Sequence, residues 1–284
     1  MNKTVLSDFN FQITLLGGQA FNWDFKDGYY WGFTKDKIVK LNPVERKHNK
    51  ISLWWQTYPE NDDYDFIKEY LRLNVNYKNI LKKINKDKHI KNAMKKFPNI
   101  RLLKQDFEQT LLSFMTSSNN NIPSIRKIIR SLCVKFGRKI TVDKNEIYLF
   151  PKTEIIAEAK LEDLLECKLG FRAKFIKNAA KFILKKNLTE RIITLDESNA
   201  RESLLEINGI GEKIADCILV FSMGFDNVTP LDVWGKRFLL NFYNLNPKMK
   251  YQDMRSWLAE YFDGHSAWAG QFLYEYIRNQ QRKV

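Results

Sequence analysis

Residues 205–234 read Leu-Glu-Ile-Asn-Gly-Ile-Gly-Glu-Lys-Ile-Ala-Asp-Cys-Ile-Leu-Val-Phe-Ser-Met-Gly-Phe-Asp-Asn-Val-Thr-Pro-Leu-Asp-Val-Trp, and this stretch decides the reading of the chain. A Gly-x-Gly hairpin (Gly209, Gly211) joins two helix-patterned segments. Glycine has no Cβ and tolerates positive φ, so backbone N–H groups there can approach a phosphate. The helix N-terminus behind the hairpin favours an anion. Lys213 falls in the first turn of that helix. The positive end of a helix disfavours an added positive charge, and an amine held partly neutral is a nucleophile. Pro230-x-Asp232 then opens another helix and supplies a carboxylate. Phosphate grip, amine and carboxylate together point to covalent chemistry on a nucleic-acid sugar.

Taken singly, each feature has a plainer explanation. Gly-x-Gly can be just a tight turn, a lysine near a helix start is usually solvated, and an aspartate before a helix is usually an N-cap. The combination is much rarer than its parts.

Composition sets the frame. The chain has 284 residues, 44% of them hydrophobic and 14% aromatic, enough for two domains with sizeable cores. The formal net charge of +14 favours a polyanionic partner. An AT-rich genome alone can also enrich Lys, Asn and Ile, so clusters such as Lys82, Lys83, Lys86, Lys88, Lys91, Lys95 and Lys96 fit either DNA or a solvated helix face. Met1–Leu16 lacks a basic segment followed by an apolar run, and no segment approaches the roughly 20 apolar residues that cross a membrane. A soluble, intracellular, DNA-associated protein is expected, in the cytoplasm or nucleoid if prokaryotic. Three cysteines, Cys133, Cys167 and Cys217, lie far apart without a CxxC pair. They indicate neither a zinc site nor a disulfide framework, and they cannot supply four thiolates to an iron–sulfur cluster.

Along the chain, Phe9–Leu15 alternates loosely like a strand before Gly17-Gly18 breaks it. Tyr29–Phe33, Lys37–Leu41 and Ile51–Tyr58 are further strand-like runs between turn signals, which predicts an antiparallel sheet. From Tyr64 the period becomes helical. Pro98-Asn99 marks the expected boundary between a β-rich domain with flanking helices (1–98) and a helical catalytic domain (99–284) with its helix-hairpin-helix at about 200–222. A short β-like run, Glu146–Phe150, interrupts the helical body. The predicted fold class is α+β: an N-terminal antiparallel sheet packed on a mostly helical body.

Several blocks in one order resemble a known family. They are Gly17-Gly18-Gln19-Ala20-Phe21-Asn22-Trp23, Arg101-Leu102-Leu103-Lys104-Gln105-Asp106, Ser117-Ser118-Asn119-Asn120-Asn121-Ile122, Leu169-Gly170-Phe171-Arg172-Ala173-Lys174-Phe175, the 205–234 stretch and Ala267-Trp268-Ala269. Together they resemble the 8-oxoguanine DNA glycosylases of the helix-hairpin-helix Gly/Pro-Asp superfamily. The resemblance implies base excision from duplex DNA through a lysine Schiff base, with β-elimination lyase activity from the same lysine. Lys213 would be the nucleophile. Asp232 would stabilise positive charge on the sugar as the base departs, while also capping its helix.

The resemblance also assigns a base pocket. Cys217, one helical turn beyond Lys213, would pack on the flipped base; its plainer role is a small buried hydrophobe. Tyr274 takes the place of the family's stacking phenylalanine. The Gly18 carbonyl would accept from N7–H of 8-oxoguanine but face a lone pair on guanine, although Gly17-Gly18 would break a strand in any case. Asn119 would enter the space left by the extruded base, with Phe171 as wedge and Arg172 reading the orphaned cytosine. The carbonyls of Leu205, Ile207 and Ile210 align with a monovalent cation site; no other cofactor is implied.

Three departures stand out. Ser124 replaces the family's arginine, Trp234 replaces a histidine, and Gly270 replaces a glutamine that reads the lesion's Watson–Crick edge. Gln271 stands one place late, and one residue turns a helical side chain by about 100°. The expected partner is double-stranded DNA carrying 8-oxoguanine, bound by a monomer. The alternatives are a superfamily glycosylase for another damaged purine and a non-catalytic helix-hairpin-helix DNA-binding protein. Gly18 in its motif and Lys213 stand against the first; the pairing of Lys213 with Asp232 stands against the second.

Overall fold

A computed structural model describes residues 1–7, 9–45, 50–60, 64–142 and 145–280. Five strands form one antiparallel sheet: β1 (Asn2–Ser7), β2 (Trp23–Lys26), β3 (Tyr29–Phe33), β4 (Ile38–Glu45) and β5 (Lys50–Tyr58), in the order β1-β5-β4-β3-β2. Asp27 and Gly28, both at positive φ, turn β2 into β3 with Lys26 opposite Tyr29. An Asp-Gly pair suits that two-residue hairpin because it tolerates the left-handed region twice.

Phe9–Leu15 departs from the strand expectation. Residues Phe11–Leu16 form a helix, α1, capped by Asn10, whose side chain accepts from the Ile13 amide at 3.0 Å. Phe11, Thr14 and Leu15 are its buried positions. Phe11 and Leu15 satisfy both an alternating and a helical pattern, and the Asn10 cap resolves the ambiguity. β1 and β2 escaped the sequence reading because β1 is a largely exposed edge strand and β2 spans four residues.

α2 (Tyr64–Tyr70) covers the sheet, closing a core of Leu15, Trp23, Leu41, Leu53, Trp55 and Ile67. α3 (Tyr77–Ile84) and α4 (Lys88–Lys96) contribute Ile80, Ile84, Ile90 and Ala93 to the larger core of the helical body. That body continues with α5 (Phe107–Met115), α6 (Ile122–Phe136), a hairpin of β6 (Lys139–Val142) and β7 (Asn145–Tyr148), α7 (Thr153–Glu158), α8 (Leu161–Glu166), α9 (Arg172–Lys186), α10 (Leu188–Ile192) and α11 (Glu197–Leu205). α12 (Glu212–Ile218) runs on into a π-helical turn, Leu219–Met223; α13 (Val233–Tyr243), α14 (Tyr251–Tyr261) and α15 (Ser266–Gln280) complete the described chain. Every residue of α5 except Glu108 is buried, so this helix is the axis of the body.

Two of the quoted blocks dock on each other. Gln19 is buried and donates to the Arg101 carbonyl (2.8 Å) while accepting from the Leu103 amide (2.9 Å). Gln105 returns a bond to the Gln19 carbonyl at 2.6 Å. A buried peptide segment needs such partners, and this weld holds the Gly17-Gly18 loop against the body. No helix among the described residues is long and apolar enough to cross a membrane.

Candidate active site

The hairpin forms as the sequence predicts. α11 ends at Leu205 and α12 starts after Gly211. Gly209 has φ +97°, and a Cβ there would lie 3.0 Å from Phe175 Cβ and Cγ. A Cβ on Gly211 would meet nothing within 4 Å. Gly211 is the N-cap of α12 without a side-chain cap bond; Ile214 N–H donates to the Gly211 carbonyl at 3.0 Å, while the Glu212 and Lys213 N–H groups take no backbone acceptor among the described residues and can meet an anion.

Lys213 is half-buried in that first turn. Its Nζ donates to Ser117 Oγ at 3.2 Å and lies 5.7 Å from the Phe114 ring centroid. Cys217 is buried one turn further on. Burial pushes its thiol up to about 12 against the opposing pull of Lys213, so the sulfur stays protonated at neutral pH.

Asp232 caps α13: Oδ1 accepts from the Trp234 and Gly235 amides, both at 2.9 Å. Oδ2 takes no hydrogen bond among the described residues. The carboxylate faces the same space as Lys213, a cavity of about 690 Å³ whose wall also includes Gly18, Asn119, Cys217, Gln271 and Tyr274. Seven residues from five separate stretches of the sequence therefore share one chamber.

Gly18 has φ +114°, and a Cβ there would stand 2.5 Å from Ile122 Cδ1. The Gly17 carbonyl accepts from Arg278 (3.0 Å) and the Gln19 carbonyl from Gln105, whereas no described group donates to the Gly18 carbonyl between them. Tyr274 is largely enclosed, and burial pushes its phenol up to about 12. Its hydroxyl lies 3.4 Å from Arg278 Nη1.

Gly270 and Gln271 both line the cavity. Ala267, Gln271, Tyr274 and Arg278 form one stripe of α15 at helical spacing, so the one-place shift does not carry the glutamine off the wall. A Cβ at Gly270 would meet Thr229 Cγ2 at 2.5 Å, which crowds any side chain there.

Asn119, Phe171 and Arg172 converge beside the chamber. Asn119 is exposed at φ +50° and Phe171 is 60% exposed. Arg172 Nε donates to the Ser118 carbonyl at 2.9 Å, Nη2 reaches the Ser118 and Asn119 carbonyls, and the guanidinium lies 4.5 Å from the Phe171 ring centroid. Of these three, Asn119 lines the cavity and the other two do not. Ser124 donates its amide to Asn121 Oδ1 at 3.0 Å and does not line it either.

Comparison with known proteins decides the family. Residues 3–111 match the family described as 8-oxoguanine DNA glycosylase, N-terminal domain, and residues 112–263 match the HhH-GPD superfamily of base excision DNA repair proteins. The chain belongs to this superfamily. The N-glycosylase/DNA lyase of Saccharomyces cerevisiae is 32% identical over 280 residues, covering 87% of this chain and 70% of that protein. The crystal structure of Clostridium acetobutylicum 8-oxoguanine glycosylase/lyase, in complex with dsDNA containing cytosine opposite to 8-oxoG, is 29% identical with a TM-score of 0.89, covering 98% of this chain and 96% of that one. The 3-methyladenine DNA-glycosylase of Archaeoglobus fulgidus, 20% identical, shares the fold at a TM-score of 0.81, covering 98% of this chain and 99% of that one.

Ile207 already accepts from the Ile210 amide at 3.0 Å, while the carbonyls of Leu205 and Ile210 receive no backbone bond among the described residues. Two carbonyls without a backbone donor and one with a single donor leave acceptor capacity at this hairpin. No cluster of three or more His, Cys, Asp or Glu suited to a metal ion occurs among the described residues. Cys133, Cys167 and Cys217 are buried free thiols.

Two site residues escaped the sequence reading. Ser117 belongs to a quoted block, but its contact with Lys213 spans nearly a hundred positions. Thr229 lines the cavity with a buried hydroxyl that has no partner among the described residues. A threonine preceding Pro230 carries no local sign of such a position.

Proposed function

We propose that the protein is a bifunctional DNA repair enzyme, excising 8-oxoguanine from duplex DNA and then cleaving the strand at the resulting site. The observation that supports this reading is the shared chamber: Lys213, Asp232 and Gly18, whose carbonyl takes no donor among the described residues, line one cavity. Residues 99–284 form the catalytic body in this reading, and 1–98 the β-rich domain that presents Gly18.

The extruded base enters the chamber between Cys217 and Tyr274, with Gln271 at its polar edge. Gly18 accepts the N7 proton that guanine lacks, which gives the lesion a hydrogen bond where guanine would bring two lone pairs together. Asn119 fills the gap in the helix, Phe171 wedges it and Arg172 turns from its carbonyl partners toward the orphaned cytosine. Gly209 and Gly211 let the strand's phosphate reach the start of α12, and the carbonyls of Leu205, Ile207 and Ile210 would hold a monovalent cation, which would supply positive charge to offset that phosphate.

Departure of the base leaves positive charge on the sugar, which the Asp232 carboxylate offsets. Lys213 forms a bond to C1′ as the bond to the base breaks, and the base takes a proton as it leaves. Ring opening gives a Schiff base. Loss of a C2′ proton then expels the 3′ phosphate, and water releases Lys213. One chain supplies every part, so a monomer suffices, working wherever the cell holds its DNA.

The test is reductive trapping. The wild-type protein with an 8-oxoguanine duplex and borohydride should yield a covalent protein–DNA adduct. Lys213→Gln should yield none while binding the duplex with near-normal affinity. An adduct formed by the variant would assign the chemistry to another amine.

A further inference from the structure

Behind the chamber lies a buried polar network that the reaction as described does not use. Asp216 sits on α12 between Lys213 and Cys217 and is 0% exposed. Its Oδ1 is bound by Arg201 of α11, with Arg255 of α14 at 3.7 Å. Its Oδ2 accepts from the hydroxyl of Tyr251 at the start of α14. That same hydroxyl accepts from the backbone amide of Leu231 at 3.1 Å. Leu231 immediately precedes Asp232 and is buried, so without Tyr251 its amide would lose its partner. A second tie reaches the same loop: Glu197, which holds Arg201, accepts from Asn227 at 3.1 Å.

The helix bearing Lys213 and the segment bearing Asp232 are thus joined through one phenol oxygen. Its proton is committed to a carboxylate, which makes the oxygen a better acceptor for the Leu231 amide. Stability alone gives little reason for this arrangement, since a buried ion pair is often no better for folding than apolar residues of similar volume. Geometry gives a reason: the amine must reach C1′ while the carboxylate sits beside the sugar, and about 1 Å of misplacement can cost about a hundredfold in rate.

We propose that Tyr251, anchored by Asp216, is a positioning residue that sets the placement of Asp232 relative to Lys213. This rests on the roles assigned to those two residues above. It separates two steps: excision needs both groups in register, whereas attack of the amine on a preformed abasic aldehyde needs Lys213 but not the charge on Asp232.

The experiment uses the full chain carrying Tyr251→Phe, which keeps the ring and removes the hydroxyl. Single-turnover excision of 8-oxoguanine opposite cytosine is expected to fall about tenfold or more. Borohydride trapping on a duplex with a preformed abasic site, and duplex affinity, should change by less than about twofold. In an Asp232→Asn background the same substitution should cost little further, because the residue it positions is already disabled. Asp216→Asn, which keeps an acceptor for Tyr251 but removes the charge, should give an intermediate loss of excision. Wild-type excision by Tyr251→Phe, equal losses of excision and trapping, or failure of Tyr251→Phe to fold would each overturn the proposal. Absence of excision by the wild-type protein would instead refute the functional reading beneath it.

Discussion

Asp232 caps α13 through Oδ1 and lines the chamber, and in the proposed reaction its carboxylate also offsets charge on the sugar. Asparagine retains a capping oxygen, so Asp232→Asn separates the tasks. Its folding midpoint should stay near the wild-type value, while single-turnover excision should fall by about 10²–10³, the usual worth of one preorganised electrostatic group. A near-normal rate would leave the residue as a cap. Ser124 is the other informative single position. By the resemblance it takes the place of the family's arginine, and it does not line the chamber. Discrimination for cytosine opposite the lesion should therefore be shallow, with Arg172 and Asn119 giving partial readout. Ser124→Arg should sharpen it by about 1–3 kcal/mol, the worth of a bidentate base contact. Excision rates opposite all four bases decide the point, and a wild-type preference already as steep as the variant's would remove Ser124 from the account.

At the scale of elements, the two hairpin glycines serve different ends. Gly209 combines a positive φ with close packing on Phe175, so Gly209→Ala should destabilise the protein by about 1–3 kcal/mol. Gly211 lies in an extended conformation with open space around its missing Cβ. Gly211→Ala should leave the unfolding midpoint nearly unchanged yet weaken binding to a duplex carrying an uncleavable abasic analogue. Thermal melts and fluorescence anisotropy on both variants check this pair, and equal effects on both quantities would contradict the division. The helices around the hairpin were legible because long apolar stripes at three and four residues leave few alternatives. α1 was not, since Phe11 and Leu15 fit two periods and the deciding cap at Asn10 is one side chain.

For the whole molecule, the join between sheet and body matters most, because Gly18 comes from one side and Lys213 from the other. Gln19 makes that join with both ends of its amide. Gln19→Ala should cost about 1–3 kcal/mol for each backbone group it leaves unpaired. It should also blunt discrimination of 8-oxoguanine from guanine, as the adjacent carbonyl loses its support. Denaturant unfolding and excision on the two substrates measure these effects; lost stability with intact discrimination would show that the loop holds its shape by other contacts.

The sequence by itself determined the fold class and the hairpin, and it singled out Lys213 and Asp232 as the pair proposed to react. Those features are local: glycines at a turn, a helix start, an N-cap before an apolar stripe. The blocks bearing Gly18, Asn119 and Tyr274 were visible as well, through their resemblance to a family. Only the tertiary structure decided which of them share a chamber, that Gln271 stays on its wall, that Ser117 and Thr229 join it, and that Tyr251 lies behind it between Asp216 and Leu231. Ser117 meets Lys213, and Tyr251 meets Asp216 and Leu231, across long stretches of chain. Thr229 gains its meaning from a buried hydroxyl without a partner. Neither a long-range contact nor burial leaves a mark in the residues beside it, since both arise when distant helices pack and exclude water between them.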